Sequence, residues 1–398
     1  MTPVFPRTVH FFHPYFRDGG VERNIAILAR ELEARGVRTQ TLTLGVPLED
    51  PATRVAGAPP LTDLGARRAV AAVIPLARHL RRARPDVLLS FQTYANVTAV
   101  LANLLAGRPT RVIVSERTAI SRERGASAAL RSRHPLKDRL LLALMRVGYR
   151  AASLVSANSA DGARDLERTL GFPPGSVHVL YNPTFDPSVR VNAAAPLNHP
   201  FFTEAYAAQR REVPVIVAVG RLEPQKDFPT LVEAFARVRA RRACRLVIVG
   251  EGGERAALKA LAASLGVEGD VDLPGFDPNP WRYIARADVF VLSSLWEGLP
   301  NALIEAVALG VPAVATACLS GPREILLDGR GGTLVPPGDG ARMAEAIAAV
   351  LDDPARARAL STVAQGGLSR FETAGAVEAY LRVMKRLVDA SLRAGRPS

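Results

Sequence analysis

The stretch Ser293-Ser294-Leu295-Trp296-Glu297-Gly298-Leu299-Pro300-Asn301-Ala302-Leu303-Ile304-Glu305 carries two carboxylates eight residues apart across a turn marked by Gly298 and Pro300. Upstream, Ala287 to Leu292 reads as a buried strand; downstream, Pro300 to Leu309 reads as a helix. Pro300 is expected in the first helical turn, where its missing N–H costs nothing. Glu297 then belongs to the loop at the strand's C-terminal end, with Glu305 roughly 7.5 Å along the helix. A helix start offers free N–H groups and a positive dipole end, which suit a phosphate. Carboxylates on either side suit sugar hydroxyls, so the stretch reads as a grip on a nucleotide-sugar.

A second loop strengthens that reading. Gly220-Arg221-Leu222-Glu223-Pro224-Gln225-Lys226-Asp227 follows the apolar run Val215 to Val219. It sets two cations, Arg221 and Lys226, at a strand's C-terminal end, and a diphosphate needs such donors. Alone it is equally well a solvated turn; beside the acidic loop it reads as functional. Gly19-Gly20-Val21-Glu22-Arg23, taken alone, reads as a tight strand-to-helix turn, although glycines there also let a backbone approach an anion. Gly250-Glu251-Gly252-Gly253-Glu254-Arg255 puts Arg255 where a dinucleotide fingerprint needs its third glycine, which disfavours a nicotinamide enzyme. Gly275-Phe276-Asp277-Pro278 is either a reader of a base edge or a plain turn. Asp270-Val271-Asp272 is expected to face water or a turn rather than hold a metal. The six histidines show no metal-ligand spacing, and there is no nucleophile elbow or Walker loop.

Around these motifs, short β-branched runs alternate with amphipathic helical stretches in two similar blocks, the pattern of parallel sheets. The expectation is an α/β protein of two Rossmann-like, doubly wound domains facing a cleft. Residues 1–185 form the first domain, 186–213 a proline-marked linker and 214–370 the second domain. Residues 371–398 form a helix crossing back to the first. The length of 398 residues suits two domains, and 48% hydrophobic with 22% charged residues is ordinary globular composition. Cys244 and Cys318 lie in apolar runs and read as core residues. No signal peptide or membrane span is expected, so the chain reads as cytoplasmic.

A formal charge of +13 calls for an anionic partner. Nucleic-acid motifs are missing, which leaves an anionic membrane face. Residues 108–150 hold eleven Lys or Arg against three Asp or Glu. Within them, Pro135 to Arg150 sets Leu136, Leu140, Leu141, Leu144 and Val147 against Lys137, Arg139, Arg146 and Arg150. That is either an interfacial helix, peripheral on the inner face of the membrane, or a core-packing helix in Arg-rich surroundings.

These loops, with Gly310-Val311-Pro312 and Gly321-Pro322-Arg323-Glu324, resemble the retaining glycosyltransferases of family 4 over nearly the whole chain. The resemblance implies the GT-B fold and transfer of a sugar, with retention and no metal or other cofactor, from a nucleotide-sugar. The donor is expected to be a UDP-sugar and the acceptor a glycan or polyprenyl-linked glycan. It further implies that Arg221 and Lys226 hold the diphosphate, Glu297 faces the donor sugar and Glu305 bonds the ribose. The backbone of Gly298, Leu299, Pro300 and Asn301 would touch phosphate or sugar, Gly275 and Phe276 the base, and Gly19 and Gly20 the phosphates. Many relatives carry a histidine where this chain has Glu116, so the resemblance makes Glu116 a catalytic candidate in that histidine's place, contacting the donor sugar or the acceptor. Ser115-Glu116-Arg117, with Phe91 to Asn96 and Tyr181-Asn182-Pro183, resembles the subgroup that builds bacterial polysaccharides and lipid-linked oligosaccharides. Two alternatives stand beside this: a nucleotide-sugar hydrolase or epimerase on the same fold, and a basic membrane- or nucleic-acid-binding protein with a vestigial site.

Overall fold

The structure, a computed structural model, describes residues 5–14, 16, 19–45, 59–121, 135–202 and 213–393. The chain divides into two compact units, Met1–Pro183 with Thr373–Ser398, and Thr184–Glu372. In the first unit the order is β1 (Thr8–Phe12), α1 (Gly20–Glu33), β2 (Arg38–Thr43), β3 (Leu61–Asp63), α2 (Val73–Ala83), β4 (Val87–Phe91) and α3 (Thr93–Leu105). It continues with β5 (Arg111–Glu116), α4 (Pro135–Ala151), β6 (Leu154–Ala157), α5 (Ala160–Leu170) and β7 (His178–Val179). The second unit contains α6 (Ser188–Ala193), β8 (Val215–Val219), α7 (Phe228–Arg239), β9 (Arg245–Val249), α8 (Arg255–Ser264), β10 (Val271–Gly275) and α9 (Trp281–Ile284). After these come β11 (Val289–Leu292), α10 (Asn301–Ala308), β12 (Ala313–Thr316), α11 (Pro322–Ile325), β13 (Thr333–Val335), α12 (Gly340–Asp352) and α13 (Pro354–Gln365). The last helix, α14 (Thr373–Arg393), belongs to the first unit.

Both sheets are parallel and doubly wound, as expected. The first runs β3-β2-β1-β4-β5-β6-β7 and the second β10-β9-β8-β11-β12-β13. In each, strand order reverses once, between β1 and β4 and between β8 and β11. Alternation along the strands of the first unit sends side chains to two cores. Phe12, Leu88, Val112 and Val114 face α2, α3, α4 and α5. Val9, Phe11, Leu89, Phe91 and Ile113 face α1 and the Val377, Tyr380, Leu381 and Met384 side of α14. Arg117 clamps that last helix: its guanidinium lies 4.5 Å over the Phe91 ring, Nη2 donates to Tyr380 Oη at 3.1 Å, and Nη1 donates to Asn182.

Several boundaries differ from expectation for local reasons. Pro300 is the cap residue, with extended ψ of 102°, and Asn301 is the first helical residue. The strand expected from Ala287 begins at Val289, because Ala287 N still donates to Ile284 O at 2.9 Å and closes the turn after α9. Six elements went unread: β3, α5, α6, α9, α11 and α13. In α5 the buried positions, Ala163, Asp165, Leu166, Glu167 and Leu170, include two carboxylates, so its apolar stripe is broken. The proline-marked stretch 182–214 is not patternless, since it contains α6, which is fastened to the second unit. Asn279 Nδ2 donates to Asn192 O at 2.8 Å, and Arg286 donates to Ala193 O and Ala195 O at 3.0 and 3.1 Å.

Cys244 and Cys318 are free and buried. Among the described residues no helix is long and apolar enough to cross a membrane. In the basic region, residues 122–134 and the side chains of Leu136 and Lys137 lie outside the described residues. The rest of α4 has a buried and an exposed side. Met145 and Tyr149 are core residues, while Leu140, Leu144 and Val147 face outward.

Candidate active site

In a doubly wound sheet, ligands settle outside the C-terminal strand ends where the strand order reverses. In the second unit that place lies between the loops after β8 and β11. Lys226 comes from the first loop and Glu297 from the second, and Nζ meets Oε1 at 2.5 Å with side chains only 17% and 7% exposed. Two residues 71 apart in sequence therefore form one charged pair at the switch point.

The surrounding bonds hold the two loops together. Ser294 Oγ donates to Glu297 Oε1 at 2.7 Å and Ser293 Oγ to Lys226 O at 2.6 Å. Gln225 Nε2 donates to Trp296 O, and Leu295 N to Gln225 O, both at 2.9 Å. The Lys226 stem also covers Gly220, where an added Cβ would lie 3.2 Å from Cε. A lysine ammonium has three donors, and Glu297 takes one.

The remaining loops of that edge interlock by close backbone approach. Gly250 has φ +153°, and a Cβ there would sit 1.9 Å from Gly220 O; at Gly252 the corresponding approach is 2.3 Å to Leu222 O. Arg255, the residue that broke the dinucleotide fingerprint, braces the neighbouring turns. Its Nη1 donates to Leu273 O at 2.9 Å and its Nη2 to Glu251 Oε1 at 2.5 Å. Gly275 adopts φ +99° at the end of β10 and accepts from Gly250 N at 2.9 Å, and Phe276 beside it is exposed. Gly321 packs against Pro300, Gly298 and Leu299, so the loop after β12 props the turn that opens α10. Ser320 Oγ donates to Gly298 O at 2.7 Å.

The structure thus sets Lys226, Glu297, Gly298, Leu299, Pro300, Asn301, Gly275 and Phe276 on loops at one edge of one sheet. Glu305 lies buried in α10, which starts from that edge. Arg221 shares the loop of Lys226, but its exposed side chain pairs with Glu223 at 2.8 Å rather than with the Lys226–Glu297 pair. Burial and then the Glu297 charge push the Cys318 thiol up to about 12, so it is inert. The Asp270 and Asp272 side chains are 27% and 45% exposed, and each carboxylate also meets a basic side chain. Asp270 accepts from Arg239 Nε at 2.7 Å, and Asp272 lies 2.8 Å from His199 Nε2, which holds its carboxyl below the usual range. Among the described residues no three His, Cys, Asp or Glu side chains converge as a metal set would.

Gly19, Gly20 and Glu116 lie at the corresponding edge of the first unit's sheet. Glu116 ends β5, buried, with Oε1 accepting from Asn96 Nδ2 and Oε2 from Thr93 Oγ1, both at 3.1 Å; Tyr149 Oη also donates to Oε1. Gly19 caps α1, and a Cβ there would lie 2.5 Å from Glu22 Oε2. Glu22 in turn meets His13 Nε2 at 3.0 Å, with His13 only 1% exposed and its ring edge-on to Phe91 across the β1–β4 reversal. Sequence reading missed this pair. The only signal was a histidine at a strand end, nine residues before an acid in the first helical turn.

Comparison with known proteins accords with this geometry. Residues 204–366 match the family of glycosyl transferases group 1, and residues 18–184 match glycosyltransferase family 4. The N-acetylgalactosamine-N,N'-diacetylbacillosaminyl-diphospho-undecaprenol 4-alpha-N-acetylgalactosaminyltransferase of Campylobacter jejuni is 29% identical over 72% of this chain and 73% of its own. A lipopolysaccharide core biosynthesis glycosyltransferase of Rhizobium meliloti is 34% identical over 44% of this chain and 50% of its own. Among solved structures, HepE of Anabaena in complex with UDP aligns with TM-score 0.75 at 20% identity, covering 95% of this chain and 100% of that one. Sucrose-phosphate synthase of Thermosynechococcus elongatus aligns with TM-score 0.80 at 19% identity, covering 97% and 100%. The chain belongs to the family 4-type glycosyltransferases of the GT-B fold.

Proposed function

We propose that this enzyme moves a hexosyl or N-acetylhexosaminyl group from a UDP-sugar to a lipid-linked or polysaccharide glycan at a membrane surface, with retention and without a metal. The observation that carries the reading is the Lys226–Glu297 pair at the strand-order reversal of the second unit, beside the start of α10. Acceptor and donor classes draw support from the relatives. The Campylobacter enzyme is named for an undecaprenol-linked acceptor, and HepE was solved with UDP and with UDP-glucose.

In this reading the bond between the anomeric carbon and the diphosphate oxygen breaks while the acceptor oxygen bonds to the same face of that carbon. The acceptor proton passes to a diphosphate oxygen. Lys226 and Arg221 neutralise charge growing on the departing diphosphate, which is the largest contribution in sites of this kind. Glu297, held by Ser294 and Lys226, orients the sugar hydroxyls. Capture of the Asp270 and Asp272 carboxylates by Arg239 and His199 supports a transfer that draws its positive charge from side chains. Buried Glu116, with its three donors, shapes the end of β5 in the first unit.

Purified protein incubated with a panel of UDP- and GDP-sugars, with and without a polyprenyl-diphosphate glycan, tests the proposal. The expected result is acceptor-dependent release of UDP and a product whose anomeric proton coupling matches the donor's configuration. Equal release without acceptor would mean hydrolysis, and an inverted coupling would remove the retaining mechanism.

A further inference from the structure

Glu297 bonds Lys226 and Ser294 through a single oxygen. Lys226 Nζ lies 2.5 Å from Oε1, and Ser294 Oγ donates to the same atom at 2.7 Å. Buried hydroxyls hold both sides of this arrangement. Thr316 Oγ1, at the end of β12, donates to Ser294 O at 2.6 Å, and Ser293 Oγ donates to Lys226 O at 2.6 Å. The other cation of the Lys226 loop is paired differently. Arg221 meets Glu223 at 2.8 Å in the open, with side chains 63% and 41% exposed. Water and salt screen such an exposed pair, whereas a pair held largely out of water keeps most of its attraction.

Carboxylate and phosphate oxygens are alternative acceptors for one ammonium. A diphosphate at Lys226 therefore competes with Glu297 for the same cation and stands beside a like charge. What compensates Glu297 differs between the two diphosphates of the reaction. A nucleotide-sugar brings hydroxyl donors to the carboxylate that Lys226 leaves. The nucleoside diphosphate left after transfer brings none. A buried carboxylate short of donors is costly, so Glu297 opposes the product more than the substrate.

We infer that Glu297 has a second role besides orienting the sugar: it reclaims Lys226 once the sugar has moved, and so expels the nucleoside diphosphate. The inference rests on the UDP-sugar reading of this site and adds to it the step of product release.

Calorimetric titration of wild-type protein and E297Q with UDP and with uridine tests it. The amide of E297Q keeps an oxygen for Ser294 and Lys226 and loses only the charge. E297Q is expected to bind UDP about tenfold more tightly than wild type does. Uridine has no diphosphate to compete for Lys226, so its affinity should be the same in both, which also shows that the variant folds. Glu297→Ala, as a second variant, should tighten UDP in the same direction. E223Q removes one negative charge from the Lys226 loop without touching the buried pair, and should change UDP affinity by about twofold or less. UDP affinity that stays level or falls in E297Q and E297A, with wild type binding UDP, overturns the inference alone. Equal tightening in E297Q and E223Q overturns it too, because that belongs to the general field of the loop. So does equal tightening of uridine and UDP, which belongs to a reshaped pocket. Wild-type protein that binds neither ligand overturns the UDP reading itself, and the inference falls with it.

Discussion

Lys226 and Glu297 hold each other at 2.5 Å largely out of water, so each depends on its partner. Lys226→Ala is expected to lower kcat about 10²–10³-fold if the ammonium stabilises the departing diphosphate. It should also cost about 1–3 kcal/mol in stability by leaving Glu297 desolvated. Steady-state UDP release with a parallel melting curve separates the two effects, and wild-type turnover in the variant would end the role assigned to Lys226. A second single-residue effect concerns His10, which lies 3.0 Å from His79. Burial, then His79 and Arg38, hold its pKa at about 4, against 6.5 for an ordinary histidine. Between those values the unfolded chain takes up a proton that the folded chain refuses. The associated stability is therefore complete above pH ~6.5 and lost as pH falls towards ~4, by about 3 kcal/mol. Urea unfolding across that range should show the slope, and His10→Gln should flatten it.

Among elements, loop-to-loop approach decides what the site tolerates. At Gly250 a Cβ would run into Gly220 O, whereas at Gly253 it would meet nothing within 4 Å. Gly250→Ala should therefore cost more than about 2 kcal/mol and reduce turnover, because it pushes on the loop that carries Lys226. Gly253→Ala should stay within about 0.5 kcal/mol of wild type. Comparable losses in the two variants by chemical denaturation would contradict this account. The last helix gives a parallel case. Met384 is fully buried against the β1–β4 face, so Met384→Ala is expected to destabilise the first unit by about 2–4 kcal/mol. Hydrogen exchange should locate the loss in residues 5–183 and 373–393 and leave β8 to β13 protected as before. Such close contacts explain why some elements were legible in sequence and others not. The apolar runs of β8, β9 and β11 announce themselves because both sheet faces are covered. By contrast α5 buries Asp165 and Glu167, which interrupts its stripe, and β3 is three residues at a sheet edge.

For the whole molecule, the formal charge of +13 makes any attachment to an anionic bilayer salt-dependent. Co-sedimentation with anionic vesicles should fall steeply as the Debye length shrinks from about 10 Å at ~0.1 M to about 3 Å at ~1 M salt. Sequence alone determined that there are two parallel α/β blocks, because strand and helix periodicities and the loops punctuating them are local. It also singled out Lys226 and Glu297, since charged residues in loops that follow buried strands have no core to serve. It did not reveal that the two share one bond, that Arg221 turns to Glu223, or that His13 reaches Glu22. Nor did it choose between the inner and outer faces of α4. Those outcomes depend on strand order and on which side of a helix meets a neighbour. Both are set by packing among residues far apart in the chain, so only the tertiary structure decided them.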